Sequence, residues 1–82
     1  MVYQTVDEQI DVATLYQKGE IKPLVFKWGS KKYKIKKINL IHTRYEGAIK
    51  YYFFSVSTES GEYQLKYNPD NLKWTLEEMY LE

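Results

Sequence analysis

One histidine, no cysteine and a run of eight cations uninterrupted by any acid are the residues of this chain that bear on chemistry. His42 is the only imidazole, so a Ser-His-Asp unit would have to be built on it, yet it sits between Ile41 and Thr43 in an apolar stretch. Nucleophilic catalysis needs a base and an orienting group within hydrogen-bond range, and no spacing around His42 suggests either. His42 is expected to be a strand residue with a satisfied nitrogen. Asp7, Glu8, Asp11, Glu59, Glu62, Glu77 and Glu78 fall near turns, near the chain ends or on outward phases, where solvation is expected rather than acid–base work. One histidine with scattered carboxylates is no metal site, and four separated glycines make no phosphate loop. The residues point to no catalytic group, metal or cofactor, and so to a non-enzymatic protein.

The cations are Lys22, Lys27, Lys31, Lys32, Lys34, Lys36, Lys37 and Arg44, which put +8 into residues 21–45. Residues 1–20 carry −3 and residues 46–82 carry −4, so a net charge of +1 conceals a block of one sign. Such a block speaks of partners or internal pairing rather than of fold. Nucleic acid is one partner it fits, because lysines that neutralise phosphates release counterions. An acidic protein surface is another, and the acidic ends of this chain could themselves fill that role. A plainer reading is that the lysines coat an exposed sheet face and discourage edge pairing. Strand edges could also support a homodimer.

These side chains need elements to place them. Eighty-two residues make one domain, 1–82, and without cysteine neither a disulfide nor a thiolate zinc site can reinforce it. Fourteen aromatics, nine of them tyrosine, must supply the core, each burying about 150–250 Å². Turn signals recur at Lys18-Gly19, Gly29-Ser30, Glu46-Gly47, Ser60-Gly61 and Asn68-Pro69-Asp70-Asn71, and the pieces between them are rich in β-formers. This predicts an all-β fold: five or six antiparallel strands in a meander, closed into a small SH3-like barrel or strongly bent into a sheet. The strands are expected at residues 9–16, 22–28, 31–44, 48–58, 62–67 and 72–80. Residues 5–16 are ambiguous between helix and strand, with residues 1–8 as a frayed or helical segment on the first alternative. Thr5-Val6-Asp7-Glu8 matches a helical capping box, whereas the alternation of Ile10, Val12, Thr14 and Tyr16 favours a strand.

A two-residue turn at Gly29-Ser30 sets Trp28 opposite Lys31, Lys27 opposite Lys32 and Phe26 opposite Tyr33. Leu24, Phe26, Trp28, Tyr33 and Ile35 then share a core face, with Trp28 partly exposed, and Lys27, Lys32 and Lys34 share the other around Val25. The phase slips at Lys36-Lys37, where a β-bulge would keep Ile38 and Leu40 inward. A turn at Ser60-Gly61 pairs Thr58 with Tyr63, Val56 with Leu65 and Phe54 with Tyr67 on the inner face. Tyr51 and Phe53 fall in the outer phase, where they either meet a second layer or stand exposed. The candidate binding residues are therefore Lys27, Lys31, Lys32, Lys34 and Lys36, with Tyr51, Phe53 or Tyr45 as candidate stacking contacts.

The segments Pro23-Leu-Val-Phe26-Lys-Trp28, Tyr52-Phe-Phe-Ser-Val56-Ser-Thr58, Gly61-Glu-Tyr63-Gln-Leu65 and Trp74-Thr-Leu76 resemble a family of small bacterial proteins of unknown function. That family has a Pro-x-x-Phe-x-Trp hairpin, a Tyr-Phe-x-Val-x-Thr strand, a Gly-x-x-Tyr-x-Leu strand and a final strand with Trp; this chain departs by one residue in the second, with Tyr52-Phe-x-x-Val56-x-Thr58, and in the third, with Gly61-x-Tyr63-x-Leu65. The likeness covers residues 9–80 and rests on core and turn positions. Some relatives are encoded near translesion polymerase genes, which implies a link to DNA metabolism. This chain has Thr43-Arg44 where the family has Trp-Arg, and Gly-Ser-Lys-Lys where the family has an arginine-rich turn, so no arginine-dependent role carries over.

No apolar run approaches the roughly 20 residues of a bilayer span, and no basic amphipathic helix suggests membrane-surface binding. The first eight residues lack the charged and apolar regions of a signal peptide. A cytoplasmic location is the expectation, in keeping with the absence of cysteine.

Overall fold

β-Branched and aromatic residues between short turns give this chain strands throughout. The computed structural model describes residues 2–81, with side chains described for residues 4–80. Its strands are β1 (Val2–Gln17), β2 (Glu20–Trp28), β3 (Lys31–Lys34), β4 (Lys37–Glu46), β5 (Ile49–Thr58), β6 (Gly61–Asn68) and β7 (Lys73–Leu81). They form one antiparallel sheet in the order β3-β2-β1-β7-β6-β5-β4. The all-β antiparallel expectation holds. The count is seven rather than five or six, and the sheet does not close into a barrel.

The extra strand has a clear origin. Residues 31–44 were expected as one long strand, but its two halves pair with different neighbours. β3 lies against β2, whereas β4 lies against β5. Between them the Ile35 amide donates to Leu24 O at 2.9 Å and the Lys36 amide donates to Ser57 O at 2.8 Å. The two edges of the sheet thus meet at Ile35 and Lys36 and separate beyond. β1 divides similarly: residues 2–10 pair with β7 and residues 11–17 with β2.

No helix starts at Thr5. The β1 register slips between Thr5 and Glu8, and Asp7 takes φ 54° there. A bulge thus replaces the capping box, because pairing with β7 satisfies the backbone that a helix would have left open.

The Gly29-Ser30 hairpin has the expected register, with Phe26 opposite Tyr33 and Lys27 opposite Lys32. Gly29 supplies the positive φ of 64°. Asn68 Oδ1 accepts from the Asp70 amide at 2.9 Å and Asn71 Oδ1 from the Lys73 amide at 3.0 Å, so the asparagines of the long turn bind their own backbone as expected.

The other tight turn is Glu59-Ser60, not Ser60-Gly61, because Thr58 pairs with Gly61. Thr58 Oγ1 accepts from the Ser60 amide at 3.2 Å, which favours that choice. The pairs become Val56–Tyr63, Phe54–Leu65 and Tyr52–Tyr67. A shift of two residues leaves every side chain on its expected face, since strand side chains alternate with period two.

The core is Ile10, Phe26, Phe54, Val56, Tyr63, Leu65, Tyr67, Trp74 and Leu76. Phe26 stacks on Tyr33 at 4.8 Å and meets Tyr63 edge-on at 5.3 Å. Burial, with Tyr63 beside it, raises the hydroxyl pKa of Tyr33. Two leucines expected inside are outside. A register slip in the β1–β2 ladder, where Thr14 pairs with Pro23 and Ala13 with Val25, buries Pro23 and leaves Leu24 exposed. In β4 the slip falls between Ile38 and Leu40 rather than at Lys36-Lys37. It keeps Ile38 against the core and leaves Leu40 57% exposed.

Candidate functional site

Three separate regions of the surface carry the candidate side chains and recesses. The first is the end of the sheet where β3 passes the Glu59-Ser60 turn. Lys31, Lys32, Lys34 and Lys36 line one depression there with Tyr33, Thr58, Glu59 and Ser60, about 470 Å³ in volume. All four lysines are exposed, as is Lys27. None of the five takes part in an ion pair among the described residues. Two features moderate the block. Asp11 lies directly opposite Lys27 on β1, and Glu59 lies in the depression itself. Lys31 reaches over the Tyr33 ring, 5.2 Å from its centre. β3 is also an edge strand four residues long, and lysines on so short an edge oppose pairing with another chain.

The second region is the outer face of β4, β5 and β6. Here Phe53 is completely buried although it points away from the core. His42 stacks on it at 4.9 Å, Arg44 lies 4.5 Å from its ring centre, and Lys66 lies 5.8 Å away. Tyr51 is half-buried under Lys66, whose Nζ is 4.2 Å from the ring. Glu46 accepts from Lys66 at 2.8 Å and from Arg44 at 3.1 Å, and those hydrogen bonds hold its carboxyl below the usual range. The exposed-patch alternative is therefore corrected for Phe53: cationic side chains and an imidazole occupy its faces. Tyr45 is exposed.

The lysine depression and the aromatic group are not brought together. Tyr51 and Phe53 lie four or more residues along β5 from Ser57, which pairs with Lys37. At about 3.4 Å per residue this exceeds 13 Å. The lysines and the aromatic rings therefore do not form one continuous platform.

The third region is a cleft of about 680 Å³ between the β1–β2 turn and β4. Ile21, Ile38, Ile41, Tyr52 and Phe54 supply its apolar surface, with Glu20, Lys22, Asn39 and Leu40 also lining it. It exists because the sheet edges touch at Ile35 and Lys36 and then part. Sequence reasoning missed both this cleft and the Arg44–Glu46–Lys66 group. The phase slip near Ile38 was its one visible trace.

His42 is exposed and serves as the cover of Phe53. Among the described residues no group of three or more His, Asp or Glu side chains could hold a metal ion. No helix of the structure is long and apolar enough to cross a membrane. Comparison with protein-family models, with curated proteins and with solved structures finds no match to this chain.

Proposed function

We propose that this protein is a non-enzymatic binding module that holds nucleic acid weakly, without regard to sequence, through its lysine-bearing end. The observation that supports this reading is that Lys31, Lys32, Lys34 and Lys36 line a single depression and are free of ion pairs among the described residues. Lys32, Lys34 and Lys36 follow one another at two-residue intervals, about 6.8 Å apart along an extended chain. Lysines so spaced can meet successive charges of a flexible phosphate backbone and displace its counterions. Base stacking contributes little, because the nearest aromatic, Tyr33, is packed against Phe26 and Tyr63. The SH3-like character of the fold belongs to the same reading, as a sheet curled until its edges touch at one end.

The test is an anisotropy titration with labelled single-stranded and duplex oligonucleotides. Four phosphate contacts predict an affinity loss of roughly 50-fold for single strands and 150-fold for duplex between about 50 and 200 mM salt. A variant carrying Lys32→Glu, Lys34→Glu and Lys36→Glu should lose binding at low salt. Absence of binding by the unaltered protein, or an unchanged curve for the variant, would reject the reading.

A further inference from the structure

Two unpaired strand edges face each other across the apolar cleft. Residues 20–23 of β2 pair only with β1, because β3 ends before reaching them. β4 pairs only with β5 along its whole length. The edges converge at the Ile35–Leu24 hydrogen bond and diverge toward Gly19 and Ile41, so the cleft is a wedge.

The two outer strands of the sheet are guarded differently. β3 has four residues, three of them lysine. β4 has ten residues, no proline, and exposed Leu40 and Ile41 beside the wedge. A long edge of that kind is a template for another strand. Strand addition needs a row of open backbone groups for affinity and apolar recesses for alternate side chains. The β4 edge offers the first, and Ile21, Ile38, Tyr52 and Phe54 offer the second.

Charge selects the guest. Ile21 and Ile38 face the core, so their neighbours Lys22 and Lys37 face outward on opposite sides of the wedge. Glu20 is the only acid that lines it. From this arrangement we infer that the wedge receives an extended segment of a partner protein, apolar on its inner face and carrying Asp or Glu on its outer face, which adds to β4 as an eighth strand. A second copy of β4 is a poorer guest, since it would bring Lys37 and Arg44 to outward positions where carboxylates are wanted. This site is separate from the lysine depression and stands whether or not that depression holds nucleic acid.

The probe is a fluorescent peptide of about eight residues, a common strand length, in which valine and glutamate alternate. Its lysine counterpart is the control. The acidic peptide should bind at least about tenfold more tightly at low salt. Amide exchange along β4 should slow while β3 is unaffected. Ile41→Lys, at an exposed position that leaves the fold intact by circular dichroism, should abolish binding. The pair Lys22→Glu and Lys37→Glu should weaken it, whereas Lys32→Glu with Lys34→Glu should not. Equal binding of both peptides, protection confined to β3, or insensitivity to Ile41→Lys would overturn the inference. So would a sedimenting dimer whose β4 amides are protected without peptide, because the occupant would then be a second copy.

Discussion

The imidazole of His42 lies flat on the ring of Phe53, with centroids 4.9 Å apart and planes 5° from parallel. The two residues face each other across the β4–β5 ladder. Together with Arg44 and Lys66 this stack gives the outer face of the sheet a small apolar centre roofed by polar side chains.

Phe53→Ala should therefore destabilise the protein like a core substitution, by about 3–4 kcal/mol, although the residue lies outside the main core. His42→Ala should cost much less, about 0.5–1.5 kcal/mol for a lost ring contact. Urea denaturation of both variants checks this. A Phe53→Ala cost under about 1 kcal/mol would mean that the roof does not exclude water.

Tyr67 is buried and shares a hydroxyl–hydroxyl hydrogen bond with Tyr16 at 3.2 Å. Burial first, and then that bond, push its pKa from 10 up to about 12. A raised pKa in the folded state means stability is complete below the unfolded value and is lost as pH rises toward the folded one. Unfolding free energy should fall between about pH 10 and 12. Tyr67→Phe should flatten that fall while costing about 0.5–1.5 kcal/mol at neutral pH. Guanidinium melts across the alkaline range, with tyrosinate absorbance followed in parallel, measure both effects.

Glu46 behaves in the opposite sense. Hydrogen bonds from Lys66 and then Arg44 lower its pKa from 4.5. Its contribution is present above pH 4.5 and disappears as pH falls through the lowered value. Glu46→Gln should remove that acid dependence. The effect at neutral pH should stay under about 1 kcal/mol, since the pair is partly exposed and screened. Thermal melts from pH 6 down to about pH 3, in low and high salt, provide the comparison.

Leu40→Ser should change stability by no more than about 0.5 kcal/mol, whereas Leu65→Ala should cost about 2–5 kcal/mol. Leu40 is 57% exposed and Leu65 is fully buried. Equal costs would return Leu40 to the core and shift the β4 bulge back to the lysine pair.

Strand identity, the Gly29-Ser30 register and the lysine face were legible in the residues, because each depends on neighbours close along the chain. Alternation sorts side chains locally, and a glycine at positive φ sets a hairpin without help from the rest of the molecule. Even the turn expected at Ser60-Gly61 rather than Glu59-Ser60 left the core intact, since the pairing shifted by an even number of residues. Leu24 and Leu40 failed for a related reason. A bulge shifts the phase by one, and a bulge is decided by the partner strand rather than by the bulged one.

The sequence by itself determined an all-β chain, most of its core, and a basic hairpin. Tertiary structure alone decided that residues 31–46 leave one sheet edge for the other, that Phe53 is roofed by His42 and Arg44, and that a wedge opens between β2 and β4. These features join residues distant along the chain, such as Glu46 with Lys66 and Lys36 with Ser57. Local periodicity carries no information about which strands become neighbours. That depends on how the whole sheet curls to bury Phe26, Phe54 and Trp74 together.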